Sequence, residues 1–464
     1  MLINSFQFLV FFACFFVVYS FLLDRGVKLQ NGLILIASYY IYGLIDWRMN
    51  ILLLSVTLVY YGIGIAIEKY HKQSLVIAGI SLAVILLLYF KYFNFFISQF
   101  VTAANKLGWH LDDVAQKIIL PIGISFYMFK LMSYVIDIYR GEQKCCRDFV
   151  AFAAYVSFFP TIMSGPIDRP NKFIPQLLNK RVFNAHLTIE GLAQITWGLF
   201  LKMCVADRIN QYVTAVYGNL PNHNGLTVFI AILLYSLQIY ADFAGYSDMA
   251  IGVGKMMGFE VMKNFNYPYF ARNVAEFWRK WHISLTTWLT EYIYIPLGGN
   301  RKGKYRTILN TLIVFTICGL WHGAGWTFIL WGFINGCLFI PNLLKDNPKK
   351  YKGISFTFDI KTITSSLFTY LLISFCWLIF REKSLVDVGN ILHSLVSPWG
   401  KPYTNLWVYF VLVIPVFFVH EFHHGISRLQ FLNNIPLEVK IAIYILLCLV
   451  LGVYNSDQFI YFQF

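Results

Sequence analysis

Long apolar stretches separated by short polar ones run the length of this chain. Residues 6–23, 51–67, 75–90, 228–240, 325–344, 367–380, 407–419 and 441–453 carry no charged side chain. A helix needs ~20 mostly apolar residues to cross the hydrocarbon of a bilayer. The shorter runs therefore imply tilt, extension by flanking residues, or re-entry. Two further candidates, 118–138 and 187–205, carry polar residues within them. Only helices satisfy their own backbone hydrogen bonds segment by segment in lipid. The pattern predicts an all-α, polytopic integral membrane protein with about eleven transmembrane helices plus re-entrant or interfacial ones.

The first run reads as a retained helix and not as a cleavable signal. No Lys or Arg precedes it, and no small-x-small site follows before Asp24. Arg25 and Lys28 come directly after it. Positive flanks stay cytoplasmic, which puts the N-terminus outside, with Lys69, Lys72, Arg140, Lys144 and Arg147 inside. No repeat, low-complexity tract or soluble domain interrupts the pattern, so residues 1–464 read as a single integral membrane domain.

One stretch breaks the rhythm. Residues 259–306 hold no long apolar run, and aromatic residues there mix with eight basic and three acidic ones. Aromatic residues interleaved with cations mark a segment at the membrane–water interface. The excess of cations puts this one on the cytoplasmic face or dipping into it.

Composition agrees with the pattern. Of 464 residues, 58% are hydrophobic and only 13% charged, against about 25% in an ordinary soluble domain. The net charge of +14 is the positive-inside bias of a membrane protein and implies no nucleic-acid partner. Most of the eight cysteines lie in or beside apolar runs, where the thiol acts as a small hydrophobe. Cys145 and Cys146 fall in a cytoplasmic loop, where a disulfide does not persist.

The candidate chemistry follows the histidines. His71, His110, His186, His223 and His393 sit in polar or loop sequence and read as solvated bystanders. His322 lies between two apolar runs, inside Gly319-Leu320-Trp321-His322-Gly323-Ala324-Gly325-Trp326. An ionisable group at such depth needs a partner or a task. Apolar burial keeps an imidazole neutral, as a general base requires, and the nearby glycines let a ligand approach the backbone. The alternative is a buried His bonded to a carbonyl, with glycines serving helix packing. Spacing alone leaves both readings open. His282 ends the cluster Phe277-Trp278-Arg279-Lys280-Trp281-His282, where an interfacial surface helix is the plainer reading.

Three other features carry chemistry. Gln238 and Asp242, four apart, share one helical face, and Asp248 lies beyond them. Lys130 and Asp137, seven apart, make a similar case. Intramembrane carboxylates face a cavity or a cationic partner. His420-Glu421-Phe422-His423-His424 matches the H-E-x-x-H pattern of zinc proteases, although no third ligand stands out downstream. Neither a G-x-x-x-x-G-K-[ST] loop nor a G-x-S-x-G elbow occurs, which removes support for ATP-driven pumping and serine hydrolysis.

Several of these stretches together resemble the membrane-bound O-acyltransferase family, in particular its bacterial alginate O-acetyltransferase branch. They are Pro121-Ile122-Gly123-Ile124-Ser125-Phe126-Tyr127, Phe158-Phe159-Pro160 through Ser164-Gly165-Pro166-Ile167, and Gln238 through Asp248. The cluster ending at His282, Tyr294 through Gly303, Gly319 through Gly323, and the terminal Phe459 through Phe464 complete the set. The Pro-Leu-Gly-Gly-Asn run at 296–300 favours the alginate branch over the D-alanyl-transfer branch. The resemblance implies helices around a central tunnel in the bacterial cytoplasmic membrane, with His322 as catalytic histidine and His282 as the second. It implies acetyl-CoA as donor with no metal, a polysaccharide acceptor on the far side, and a secreted SGNH-type partner. Gln238, Tyr240, Asp242, Trp321, Arg279 and Lys280 are then the expected substrate-binding residues. The alternatives are a proton-coupled transporter or flippase, since intramembrane His and carboxylates also relay protons, and an intramembrane zinc protease using His420, Glu421 and His424.

Overall fold

The computed structural model describes residues 3–23, 25–111, 118–344, 359–405, 407–425 and 435–454. Every regular element among them is helical. The chain divides into two compact units, Met1–Leu192 with Ala250–Met262, and Ala193–Met249 with Lys263–Phe464.

The first unit contains α1 (Phe6–Leu22), α2 (Val27–Gly43), α3 (Trp47–Tyr70), α4 (Gln73–Leu87), α5 (Phe93–Lys106), α6 (Ile124–Arg140), α7 (Phe149–Ser157), α8 (Pro170–Leu178) and the start of α9 (Ala185–Phe200). Polar caps set the starts. Ser5, Asp46 and Asp148 accept backbone N–H bonds from the first turns of α1, α3 and α7. Gly141, at φ +75°, ends α6 in the left-handed conformation that glycine takes without steric cost. Several buried polar groups inside the unit are paired. Arg181 donates to the Tyr19 hydroxyl at 2.9 Å and to Asn31 at 2.7 Å, and Lys130 donates to Thr161 at 3.0 Å.

The second unit continues α9 through a π turn, Leu201–Ala206, into α10 (Asp207–Tyr217). Then come α11 (Gly225–Met256), α12 (Val274–Lys280), α13 (Ile283–Leu289), α14 (Lys304–His322), α15 (Trp326–Leu343), α16 (Ile360–Arg381), α17 (Leu385–Leu395), α18 (Trp407–Gly425) and α19 (Leu437–Leu451). Two of the three unit boundaries fall inside α9 and α11, and the third, between Met262 and Lys263, follows α11.

Six helices among the described residues are long and apolar enough to cross a membrane: Trp47–Tyr70, Gln73–Lys106, Ala185–Tyr217, Gly225–Met256, Trp326–Leu343 and Ile360–Arg381. Phe6–Leu22 and Phe410–Phe422 are shorter apolar helices. Some spans join pieces that the sequence pattern shows only in part. The π turn Leu88–Tyr92 carries α4 straight into α5, and the span Ala185–Tyr217 runs on past the apolar run 187–205.

The charged middle folds in a way that composition alone does not convey. Its aromatic residues Phe277, Trp278, Trp281 and Trp288 are buried, while Arg279, Arg301, Lys302 and Lys304 are exposed. The stretch thus turns an aromatic face inward and a cationic face outward. Helices α14 and α15 pack backbone to backbone. A Cβ on Gly319 would collide with the Phe328 carbonyl, and one on Gly332 with the Phe315 carbonyl. Small residues at such a crossing let two backbones meet directly.

Candidate functional site

His322 is the last residue of α14, and the corner Gly323-Ala324-Gly325 leads directly into α15. The imidazole is buried at 4% exposure. Its walls are aromatic: ring centroids of Trp321, Phe380 and Trp331 lie 4.9, 5.2 and 5.3 Å away. His282 is the nearest other imidazole, 6.3 Å off and almost perpendicular. The sequence reading of His282 as a surface residue is overturned here, since it is only 1% exposed. The reason is local. Asn264, in the segment after α11, clamps the α12–α13 corner from inside. Its carbonyl accepts from Ile283 N–H at 2.8 Å, its Oδ1 accepts from Ser284 at 2.6 Å, and its Nδ2 donates to Ser247 at 3.0 Å.

That corner also holds His282 in an uncommon backbone state, φ 44° and ψ 51°. A non-glycine residue in the left-handed region is retained only where its surroundings over-determine it. Its ring caps α13, with Nδ1 accepting from Leu285 N–H at 3.3 Å. An accepting Nδ1 has a free lone pair, so the ring is neutral with its proton on Nε2. His282 therefore presents a neutral N–H donor. Phe243 and Trp321 pack against it at 4.7 and 5.8 Å.

A groove of about 400 Å³ is lined by residues of α12, α13, α14 and α15, among them Ile283, the residue after His282. Exposed Arg279, Thr290 and Glu291 stand at its mouth, and Trp278, Phe315 and buried Cys318 line it further in. Cys318 is four residues before His322 on α14, so both lie on one helix face. The wall is fixed by side-chain bonds: Trp278 Nε1 donates to Asn335 Oδ1 at 3.2 Å, and Asn335 Nδ2 donates to the Trp331 carbonyl at 2.9 Å.

The other expected site residues separate into two groups. Trp321 joins the chamber, and Arg279 stands at the groove mouth. Lys280 pairs with Glu276 at 3.0 Å, and Glu276 also takes Arg272 at 3.1 Å. Gln238 and Asp242 do share a face, as their spacing predicts, but both meet protein partners. Gln238 donates to Asn210 at 2.9 Å, and Asp242 pairs with Lys202 at 2.7 Å. Lys202 also binds Asp207 at 2.8 Å, forming a buried triad around one cation. The Tyr240 hydroxyl donates to Glu421 at 2.9 Å.

The described residues of the H-E-x-x-H segment meet protein partners. Glu421 turns to Tyr240, whereas His420 stacks on Trp197 at 3.4 Å and meets the Tyr444 hydroxyl at 3.0 Å. Among the described residues no group of three His, Cys, Asp or Glu side chains is arranged to hold a metal ion. The side chain of His424 and the terminal motif 459–464 lie outside the described residues. Sequence reasoning missed Asn264, Phe380, Asn335 and Trp331. Of these, only the two asparagines left a signal, as amides in otherwise aromatic or apolar surroundings.

Comparison with known proteins gives a consistent answer. The family model described as membrane-bound O-acyltransferase matches residues 33–347. The "probable alginate O-acetylase" of Pseudomonas putida is 37% identical over 80% of this chain and 76% of its own length. The peptidoglycan O-acetyltransferase of Helicobacter pylori is 32% identical over 80% of this chain and 75% of its own. The teichoic acid D-alanyltransferase of Bacillus subtilis is 30% identical over 56% of this chain and 69% of its own.

Proposed function

The chain belongs to the membrane-bound O-acyltransferase family and is a multi-pass integral membrane O-acyltransferase, and from that membership we propose that it moves acetyl groups from cytoplasmic acetyl-CoA to a polysaccharide outside the bacterial cytoplasmic membrane, with His322 as general base. Residues 1–464 act as one catalytic domain in this reading. The alginate and peptidoglycan acetyltransferases among its relatives support a polysaccharide acceptor. A secreted SGNH-type protein is the expected partner that delivers the group to the polymer.

The observation that carries the reading is the buried pair of imidazoles. His322 sits buried in an apolar aromatic chamber walled by Trp321, Phe380 and Trp331. It takes the proton from an acceptor hydroxyl as that oxygen bonds to the thioester carbonyl carbon. The carbon–sulfur bond then breaks, and the proton passes from His322 to the departing thiolate. His282, neutral and donating through Nε2–H, orients the acceptor oxygen. The groove from Arg279 to Cys318 takes the slender pantetheine arm, with Arg279 at its mouth near the CoA phosphates; Lys280, paired with Glu276, adds positive charge one residue on along α12.

The test is acetyl transfer by purified protein in proteoliposomes, with isotopically labelled acetyl-CoA on one side and a soluble oligosaccharide on the other. Label on the oligosaccharide, with CoA remaining on its original side, is expected. Transport of the donor across the membrane without ester formation would replace this reading with a transporter.

A further inference from the structure

Two side chains of α15 are out of place in an apolar chamber. Thr327 and Trp331 stand four residues apart, hence on one face of the helix. Each is only 1% exposed, and neither Thr327 Oγ1 nor Trp331 Nε1 has a hydrogen-bond partner among the described residues. A buried donor left without an acceptor costs stability comparable to a lost hydrogen bond, and such groups in a native protein call for an explanation. Packing does not supply one, because valine fills the space of threonine, and phenylalanine much of that of tryptophan, without the polar atom. Their location does. The Trp331 ring stands 5.3 Å from His322 and perpendicular to it. Thr327 Oγ1 lies over Gly325, the helix cap at the end of the His322 corner, 3.8 Å from where a Cβ on that glycine would be. The positive end of the α15 dipole is at the same corner.

We propose that the Thr327 hydroxyl and the Trp331 indole N–H are the donors that receive the acyl carbonyl oxygen as it becomes an oxyanion. The proposal rests on the acyl-transfer reading above and deepens it. When the acceptor oxygen bonds to the carbonyl carbon, the carbonyl π electrons move onto its oxygen. The two donors hold that charge until the electrons return and the carbon–sulfur bond breaks. Donors already fixed and desolvated stabilise this charge without reorganising, which is where such groups are most effective.

The experiment compares Thr327→Val, Thr327→Ser and Trp331→Phe with the unmodified protein in the transfer assay. Thr327→Val keeps shape and removes the donor, while Thr327→Ser keeps the donor. Loss of one oxyanion donor lowers kcat by about 10²–10³-fold. Thr327→Val and Trp331→Phe should each fall in that range with donor KM within a few-fold of normal, and Thr327→Ser should restore most of the rate. Equal rates for the Val and Ser variants, or a normal kcat for Trp331→Phe, overturns the proposal. Should Trp331→Phe fail to fold, the Val–Ser pair decides alone. Inactive His322→Ala beside fully active Thr327→Val would sink this assignment and leave the acyltransferase reading intact. Absence of transfer by the unmodified protein would remove the reading itself.

Discussion

Gly319→Ala should impair transfer by about a hundredfold, although residue 319 touches no reacting atom. A Cβ at this position would overlap the Phe328 carbonyl oxygen and lie 3.2 Å from the Gly332 Cα. Both obstacles are backbone, so no side-chain rotation relieves them. Restoring ordinary contact requires α14 and α15 to separate by ~1 Å. Overpacking of this kind costs about 1–3 kcal/mol. His322 is three residues further along α14, ~4.5 Å up the axis, and moves with it. A misplacement of ~1 Å in a catalytic constellation costs about 10²-fold in rate. Gly336→Ala is the internal control. It lies on the same helix pair, but its Cβ would meet the Leu312 Cδ2 at 3.1 Å and the Phe315 Cβ at 3.3 Å, and the leucine tip can give way. The assay is labelled-acetyl transfer by both purified variants, with thermal midpoints in detergent measured in parallel. A Gly319→Ala protein as active as Gly336→Ala would refute the argument that this backbone contact sets the position of His322.

Other expectations rest on separate contacts. His420→Ala and Glu421→Gln should leave transfer largely intact, and elemental analysis of the purified protein should find no stoichiometric zinc; joint loss of activity and bound zinc would contradict the geometry around Tyr240 and Tyr444. Lys202→Met removes the cation between Asp207 and Asp242 and should destabilise the fold by about 3–5 kcal/mol, because two buried carboxylates lose their counter-charge; an unchanged denaturant midpoint would show the triad to be dispensable. In a background without the eight native cysteines, Lys304→Cys should react with a membrane-impermeant thiol reagent only after cells are opened, and labelling of intact cells would reverse the topology.

Much of the architecture was legible because lipid enforces a simple rule, that apolar runs become helices. The runs 51–67, 228–240 and 367–380 lie inside helices Trp47–Tyr70, Gly225–Met256 and Ile360–Arg381. Where helices join was less legible. The π turn at Leu88–Tyr92 has no sequence marker, and the buried pair Lys202–Asp242 and the half-buried pair Gln238–Asn210 let polar residues continue a span that hydropathy alone would end. At the site, His322 stood out as a histidine between apolar runs with glycines around it. His282 stood out less, because its surroundings read as an interfacial surface and only the family resemblance raised it. Its burial depends on Asn264, which lies near it only after the chain has turned back. Thr327 and Trp331 left no signal at all, since threonine and tryptophan are ordinary in an apolar helix and only the folded structure reveals that their donors lack acceptors.

The central claim, that His322 is the base for acyl transfer, is tested most directly by the turnover of His322→Ala measured with saturating acetyl-CoA and a hydroxyl acceptor. The variant should insert and purify like the unmodified protein and still bind donor, while kcat falls by about 10²–10⁴-fold, the usual contribution of a general base. A well-folded His322→Ala protein that acetylates at the normal rate would contradict the account.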